Sequence, residues 1–228
     1  MLSSIFNLFF PKVCAACNSI LLTSERVICT VCRHDLPLTN HHLNPQNEMF
    51  KKFYGKLDIE FASALLYFQK KGSVQELIHK LKYKGQQEIG ATLGNWYAED
   101  LKNLDAIKKI DFIIPVPIHK KRLKTRGYNQ VTTFCDALSK NLKIPVQELL
   151  LVRDKNTQSQ TKKNRLNRGE IATEIFSVDG LENFKSKHFL LVDDVVTTGA
   201  TLESCGRELM KIEGVKLSIV CIATTPRN

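Results

Sequence analysis

Residues 187–209 read K-H-F-L-L-V-D-D-V-V-T-T-G-A-T-L-E-S-C-G-R-E-L, and this stretch decides the fold class of the chain. The apolar run 189–192 is long enough for a buried strand and too short for a typical helix. After Gly199, apolar residues return at helical spacing, at Leu202, Cys205, Leu209 and Met210. The stretch therefore predicts a strand that runs into a helix through a turn beginning with Asp193 and Asp194.

This turn has the chemistry of a sugar-phosphate site. Backbone N–H groups at a helix N-terminus attract phosphate, Gly199 allows close approach, and the threonines add uncharged hydroxyl donors. The predicted phosphate-binding residues are Thr197, Thr198, Gly199, Ala200 and Thr201. Carboxylates at this position suit a sugar with vicinal hydroxyls, with Mg²⁺ neutralising further phosphates. A helix-capping acidic pair, or a Mg²⁺ site of another α/β fold, is the alternative.

Composition limits the class of protein. The chain has 228 residues, 43% of them hydrophobic and 25% charged, as in ordinary globular proteins. Its net charge of +10 indicates a polyanionic partner, either nucleic acid or a phosphate-rich substrate. There is no apolar run of membrane-spanning length, and the start of the chain lacks the features of a signal peptide. Seven cysteines without such a signal favour reduced thiols and a cytoplasmic location.

Four of the cysteines form two C-x-x-C pairs near the N-terminus, Cys14 with Cys17 and Cys29 with Cys32. Two such pairs complete a tetrahedral four-sulfur site with no open position, which predicts structural zinc. Few large apolar residues surround them, so the metal would substitute for a core. Four unligated cysteines, or a pair of redox couples, are the alternatives.

A basic segment follows the apolar strand pattern of residues 111–118. In residues 119–130, H-K-K-R-L-K-T-R-G-Y-N-Q, five of the seven positions 120–126 are Lys or Arg. A basic loop between a strand and a helix predicts a second anion site, and a nucleic-acid patch or a solvated loop is the alternative. Two other basic stretches are interpreted as a solvated helix end at residues 82–85 and a mobile loop at residues 153–168.

The order of elements predicts an α/β protein. Strands at 111–117, 147–152, 189–193 and 215–223 alternate with helices at 127–142 and 199–213, and a further strand lies near residues 62–68. This alternation is typical of a parallel sheet flanked by helices. The predicted domains are a cysteine segment at 1–38, a polar linker at 39–57, and the α/β domain at 58–228.

Two sets of motifs resemble known families. Four apolar residues followed by D-D-x-x-T-T-G-x-T resemble the phosphoribosyl pyrophosphate (PRPP) motif of type I phosphoribosyltransferases. The segment P-V-P-I-H-K-K-R-L-K-T-R-G-Y-N-Q, the paired C-x-x-C and K-Y-x-G at Lys82, Tyr83 and Gly85 resemble the ComF family of bacterial competence proteins. The chain departs from a further ComF segment, Q-x-x-L-x(4)-R-x-x-N, at Lys163 and Ile171.

The resemblance implies a type I phosphoribosyltransferase-like sheet that binds PRPP or a related sugar phosphate with Mg²⁺. Asp193 and Asp194 would be the catalytic pair that holds the ribose hydroxyls, and residues 197–201 would hold the 5′-phosphate. The remaining phosphate-binding residues would be His119, Lys120, Arg122 and Arg126. Whether catalysis is retained stays open.

For the biological role, the resemblance implies DNA uptake in natural transformation. The expected partners are single-stranded DNA and a competence helicase at the inner face of the cytoplasmic membrane. The alternative is an active phosphoribosyltransferase of nucleotide metabolism that transfers ribose 5-phosphate to a nitrogen nucleophile.

Overall fold

The computed structural model describes residues 11–153, 176–178 and 181–226. In this part of the chain the strands are β1 (Phe61–Tyr67), β2 (Phe112–Pro115), β3 (Leu151–Arg153), β4 (Phe176–Val178), β5 (His188–Val196) and β6 (Lys216–Thr224). The α-helices are α1 (Thr30–Asp35), α2 (Glu48–Lys51), α3 (Ser73–Tyr83), α4 (Glu88–Leu101), α5 (Asp105–Lys108), α6 (Lys120–Arg126), α7 (Thr132–Leu142) and α8 (Ala200–Leu209). Short 3₁₀ helices occupy His41–Leu43 and Leu181–Phe184.

The main sheet is parallel, with strand order β1-β6-β5-β2. Of its two inner strands, β5 carries the apolar run of the deciding stretch, and Val192 pairs with Val220 on one side and Pro115 on the other. Pro115 is tolerated because β2 is an edge strand of this sheet, where a missing N–H breaks no ladder between two neighbours. The α/β parallel-sheet prediction is confirmed.

The strand predicted at residues 147–152 forms differently. Val146 makes a single parallel bridge to Ile113, and the regular strand begins only at Leu151. There β3 pairs antiparallel with β4, which makes a separate two-stranded sheet. The physical reason is that the partner strand comes from the far side of residues 154–175, which no local pattern reports. The loop prediction falls largely on those residues and lies outside the described ones, as do Lys163 and Ile171.

The basic segment is a helix where a loop was predicted. Lys120–Arg126 form α6, whose residues are mostly good helix formers. His119 caps the start of the helix, with its Nδ1 accepting from the Lys121 N–H at 3.1 Å. Gly127 ends it in the left-handed conformation, at φ 82°. The basic side chains are therefore displayed from a fixed backbone.

Alternate residues of β5 bury against the two faces of the sheet. Leu190 and Val192 pack in one apolar cluster, with α3, α4, α7 and the cysteine segment, while Phe189 and Leu191 pack in the other, with α2 and α8. Both faces are covered, as a parallel sheet requires. Because both faces of the sheet are covered, polar side chains gather at the carboxyl ends of its strands.

Residues 39–57, predicted as a polar linker, pack closely on the α/β core. Met49 and Phe53 are fully buried, and the Asn47 side chain donates to the carbonyl of Ala62 in β1 at 2.8 Å. His41, within the same predicted linker, is also buried and lies edge-on to Tyr67. The domain boundaries themselves stay a prediction.

Candidate functional site

The acidic pair lies near the carboxyl end of β5. Successive residues of a strand face opposite sides, and accordingly Asp194 is buried while Asp193 is partly exposed. Asp193 Oδ1 accepts from the Asp194 N–H at 2.8 Å, and Asp194 Oδ1 accepts from the Val195 N–H at 2.6 Å. These bonds fix both carboxylates relative to the backbone.

Lys82 neutralises the buried carboxylate. It lies at the end of α3, and its Nζ is 2.9 Å from each carboxylate oxygen of Asp194. The Asp194 side chain is 6% exposed and that of Lys82 22%, so most of this ion pair is shielded from water. The sequence indicated a solvated helix end here; the signal that could have identified Lys82 is the K-Y-x-G motif.

A phosphate-sized cradle follows the acidic pair. Residues 197–201 turn from β5 into α8, and with Asp193 and Val195 they line a cavity of about 70 Å³. Gly199 adopts φ 86° at the helix N-cap, and a Cβ there would lie 3.1 Å from Cε1 of Phe53. The left-handed conformation thus favours glycine strongly, and the nearby Phe53 ring leaves little space for a side chain. The first N–H groups of a helix lack intrahelical partners, so the polarity of this turn suits an anion.

Cationic side chains face the acidic pair across a larger pocket. Arg122 and Arg126 of α6 line a cavity of about 210 Å³ together with Asp193, Asp194 and Thr201. The guanidinium of Arg126 also lies 5.1 Å from the ring centroid of Tyr83, a cation–π contact that orients it. The structure thus brings five of the predicted site residues to one pocket.

Two predicted phosphate-binding residues stand apart from this pocket. The ring of His119 is engaged in capping α6, as described above. Lys120 is exposed on the first turn of the same helix and is absent from the described lining of the 210 Å³ cavity. A phosphate-binding role for either residue therefore stays a prediction.

The four N-terminal cysteines converge. Their sulfur atoms all lie within 4.8 Å of one another, and Cys17 Sγ is 3.8 Å from Cys29 Sγ. Zinc with four thiolates at about 2.3 Å requires S···S separations of about 3.8 Å. Backbone N–H groups point at the sulfurs: Ala16 and Cys29 donate to Cys14 Sγ at 3.4 and 3.3 Å. The donor set fits a tetrahedral thiophilic metal ion.

Thiol ionisation differs between the cluster and the other cysteines. Hydrogen bonds from Ser19 lower the pKa of the Cys17 thiol to about 6, whereas burial raises the pKa of Cys32. Burial also raises the pKa of Cys135 and Cys221 well above the ordinary value. Burial therefore favours the neutral form of these two core thiols, whereas the Cys17 thiol at the cluster is favoured as a thiolate.

Comparisons with known proteins agree with this geometry. Residues 132–228 match the phosphoribosyl transferase domain. Competence protein F of Haemophilus influenzae is 27% identical over 213 residues, covering 90% of this chain and 93% of that protein. The resemblance to the ComF family is confirmed.

Two further proteins are similar. DNA utilization protein YhgH of Escherichia coli K12 is 23% identical to this ComF-like chain over 223 residues, covering 93% of the chain and 90% of YhgH. Among solved structures, purine phosphoribosyltransferase from Pyrococcus horikoshii is similar at a TM-score of 0.37 and 26% identity, covering 59% of this chain and 73% of that one.

The ComF-like chain has a further pocket that the sequence did not predict. A cavity of about 370 Å³ is lined by Tyr83 and Tyr128. It shares Lys82, Arg122 and Arg126 with the 210 Å³ cavity that contains the acidic pair. The Tyr128 hydroxyl donates to the carbonyl of Leu81, which joins the residues after α6 to α3. Within the described residues of the ComF-like chain, none of the helices is both long and apolar enough to cross a bilayer.

Proposed function

We propose that this ComF-like protein binds PRPP or a related sugar phosphate with Mg²⁺, and that it serves DNA uptake. The observation that carries the proposal is the shared pocket of the acidic pair and the arginines of α6, which adjoins the phosphate cradle through Asp193 and Thr201. The acidic pair suits hydroxyl donors, so a ligand made of phosphates alone would leave it unmatched. A ribose that carries a phosphate at each end matches these three groups. The cradle suits one phosphate, the acidic pair suits the ribose hydroxyls, and the arginines of α6 suit the other phosphate.

Each group of residues has a separate task in this proposal. The partly exposed Asp193 accepts hydrogen bonds from the ribose hydroxyls. Asp194 is paired with Lys82 and forms the buried border of the site. The cradle binds the 5′-phosphate through backbone N–H groups and threonine hydroxyls. Arg122 and Arg126 bind the pyrophosphate. Mg²⁺, when bound with PRPP, would be held by the pyrophosphate oxygens, and it would supply charge neutralisation.

An active phosphoribosyltransferase is the second candidate. The 370 Å³ pocket favours it, because an acceptor with a flat nitrogen-containing ring could stack on Tyr83 or Tyr128 beside the cationic wall. Product formation from PRPP and a panel of nitrogen nucleophiles, followed as pyrophosphate release, tests this candidate.

The DNA-uptake role is supported by the relatives rather than by the pocket. The related proteins are named for competence and for DNA utilization, and the net charge of +10 suits a polyanionic partner. We include direct binding of single-stranded DNA in the proposal. Its test is a salt titration of oligonucleotide binding, since phosphate contacts make the affinity fall steeply with salt.

The cysteine cluster is proposed to hold structural zinc and to dock a helicase partner. The cysteine segment contributes Cys14, Ile28 and Leu36 to the same apolar core as β1 and α3. A metal ion bound by this segment would therefore stabilise the whole protein. Ile20 and Leu22 are 68% and 69% exposed there, which provides an apolar contact. The variant Ile20→Ser/Leu22→Ser should weaken helicase capture with unchanged zinc content; undiminished capture would remove the docking proposal.

The deciding experiment is calorimetric titration with PRPP and Mg²⁺. The wild type should bind saturably, the variant Asp193→Asn/Asp194→Asn should lose binding, and Asp105→Asn should behave as wild type because its side chain is 87% exposed on α5. If the wild type does not bind PRPP but binds single-stranded DNA in a salt-dependent manner, the ligand of this fold is DNA and not a sugar phosphate.

A further inference from the structure

A second basic cavity opens beside the phosphate cradle. It has a volume of about 690 Å³ and is lined by Gln46, Lys51, Lys52, Tyr54 and Lys56, and we name it the lysine pocket. Its remaining lining residues are Thr197 and Thr198, which also line the cradle. The two cavities therefore meet at the same pair of threonines, and among the described residues the lysine pocket shares no lining residue with the cavity of the α6 arginines.

The wall of the lysine pocket is fixed against the cradle. Lys52 Nζ donates to the carbonyl of Thr197 at 3.1 Å, and Phe53 packs against Gly199. The start of α2 is held by Asn47, whose Oδ1 accepts from the Phe50 N–H at 2.9 Å. Residues 46–56 thus form part of the site, although their composition predicts a linker.

Charge and size select the occupant. Three lysines and no carboxylate are among the described residues that line the pocket, and Lys56 makes only a 3.9 Å ion pair with Glu203. The pocket is far larger than the 70 Å³ cradle and falls in the range of nucleotide-sized ligand sites. Tyr54 is 75% exposed at this surface and offers a stacking face. A further phosphate with an attached nucleoside matches these features.

We propose that the 5′-phosphate in the cradle belongs to a ligand that continues through it, so that a second phosphate or phosphodiester with its nucleoside occupies the lysine pocket. This inference rests on the proposed ribose-phosphate site. The shared chemistry is a ribose 5-phosphate substituted on its phosphate. Its sources are a pyrophosphate-linked nucleotide or the end of a nucleic-acid strand.

The test compares each extended ligand with the unextended ligand that carries the same ribose. Calorimetry at constant ionic strength would measure ADP-ribose against ribose 5-phosphate, whose phosphate it extends by a nucleotide, and the dinucleotide ApA against AMP, whose phosphate it extends as a phosphodiester. We expect ADP-ribose or ApA to bind at least about tenfold more tightly than its unextended counterpart, from the added lysine contacts. A preference for ADP-ribose identifies the pyrophosphate source, and a preference for ApA the strand end.

Variants separate this inference from the function on which it rests. Lys51→Gln/Lys56→Gln should reduce the affinity ratio of extended to unextended ligand towards one, while Lys108→Gln on α5 should keep it. Equal affinities in the wild type would overturn the inference and leave the ribose-phosphate site standing. Extended ligands that bind through the lysines but ignore Asp193→Asn/Asp194→Asn would overturn it too, because the pocket would then be independent. Failure of every ligand in a protein that binds PRPP with Mg²⁺ would overturn this inference alone, and failure of PRPP as well would overturn both proposals.

Discussion

Replacing Lys82 with glutamine should destabilise this protein more than any exposed charge removal. The change leaves the carboxylate of Asp194, which is 6% exposed, without the ammonium that lies 2.9 Å from both of its oxygens. A buried charge without a partner must be desolvated with little compensation. The prediction therefore concerns stability as well as ligand binding.

The magnitude follows from the burial of the pair. Breaking a fully buried ion pair costs about 3–5 kcal/mol. Because the side chain of Lys82 is 22% exposed, water can partly replace it, and we expect about 2 kcal/mol. For a chain of this length, that corresponds to a fall in Tm of about 4–8 °C.

Thermal unfolding of the ligand-free protein measures this effect. The control is Lys108→Gln, which removes a 3.2 Å pair with Asp105 whose side chains are 58% and 87% exposed. It should lower stability by less than about 0.5 kcal/mol. The double variant Lys82→Gln/Asp194→Asn should be more stable than Lys82→Gln alone, since neither side chain of this pair is then charged. A Lys82→Gln Tm no lower than that of the control would refute the reasoning.

Three further predictions concern other parts of the fold. Gly199→Ala should lower the free energy of unfolding by about 2 kcal/mol and weaken phosphate binding. Gly127 is equally left-handed but has open space around it, so Gly127→Ala should lower it by about 1 kcal/mol. Equal unfolding midpoints of the two variants would exclude an effect of the contact with Phe53. Purified protein should contain one zinc per chain by elemental analysis. A chelator should lower the Tm of the wild type but should leave the Tm of Cys14→Ser unchanged. An unchanged wild-type Tm would contradict structural zinc. Burial lowers the pKa of His188 in the folded protein. The contribution of His188 to stability should therefore be complete above about pH 6.5 and should decline below it, because the unfolded chain then binds a proton that the folded chain does not. Urea midpoints measured across this pH range should decline less for His188→Asn than for the wild type.

Much of the fold was predictable because its signals are local. The apolar run of β5, the helical spacing after Gly199 and the two C-x-x-C pairs each lie within a few residues, and the structure contains each of the corresponding elements. The helix α6 was missed because its high density of charge indicated a loop, while its caps at His119 and Gly127 are local signals that were present. The failure there was one of interpretation.

Other features depend on contacts between distant parts of the chain. Lys82 and Asp194 are 112 positions apart, and the short strand β3 finds its partner β4 across residues 154–175. Periodicity and spacing report only neighbours along the chain, so they could not show which cation meets which carboxylate.

The sequence by itself determined the parallel α/β class, the acidic pair with its glycine turn, and the four-cysteine set, because each is encoded in the order of adjacent residues. Only the tertiary structure decided that residues 46–56 wall the phosphate cradle, that Lys82 neutralises Asp194, and that Arg122 and Arg126 face the acidic pair. The physical reason is that burial of the two faces of the sheet brings these segments to one edge, and that packing exists only in the folded chain.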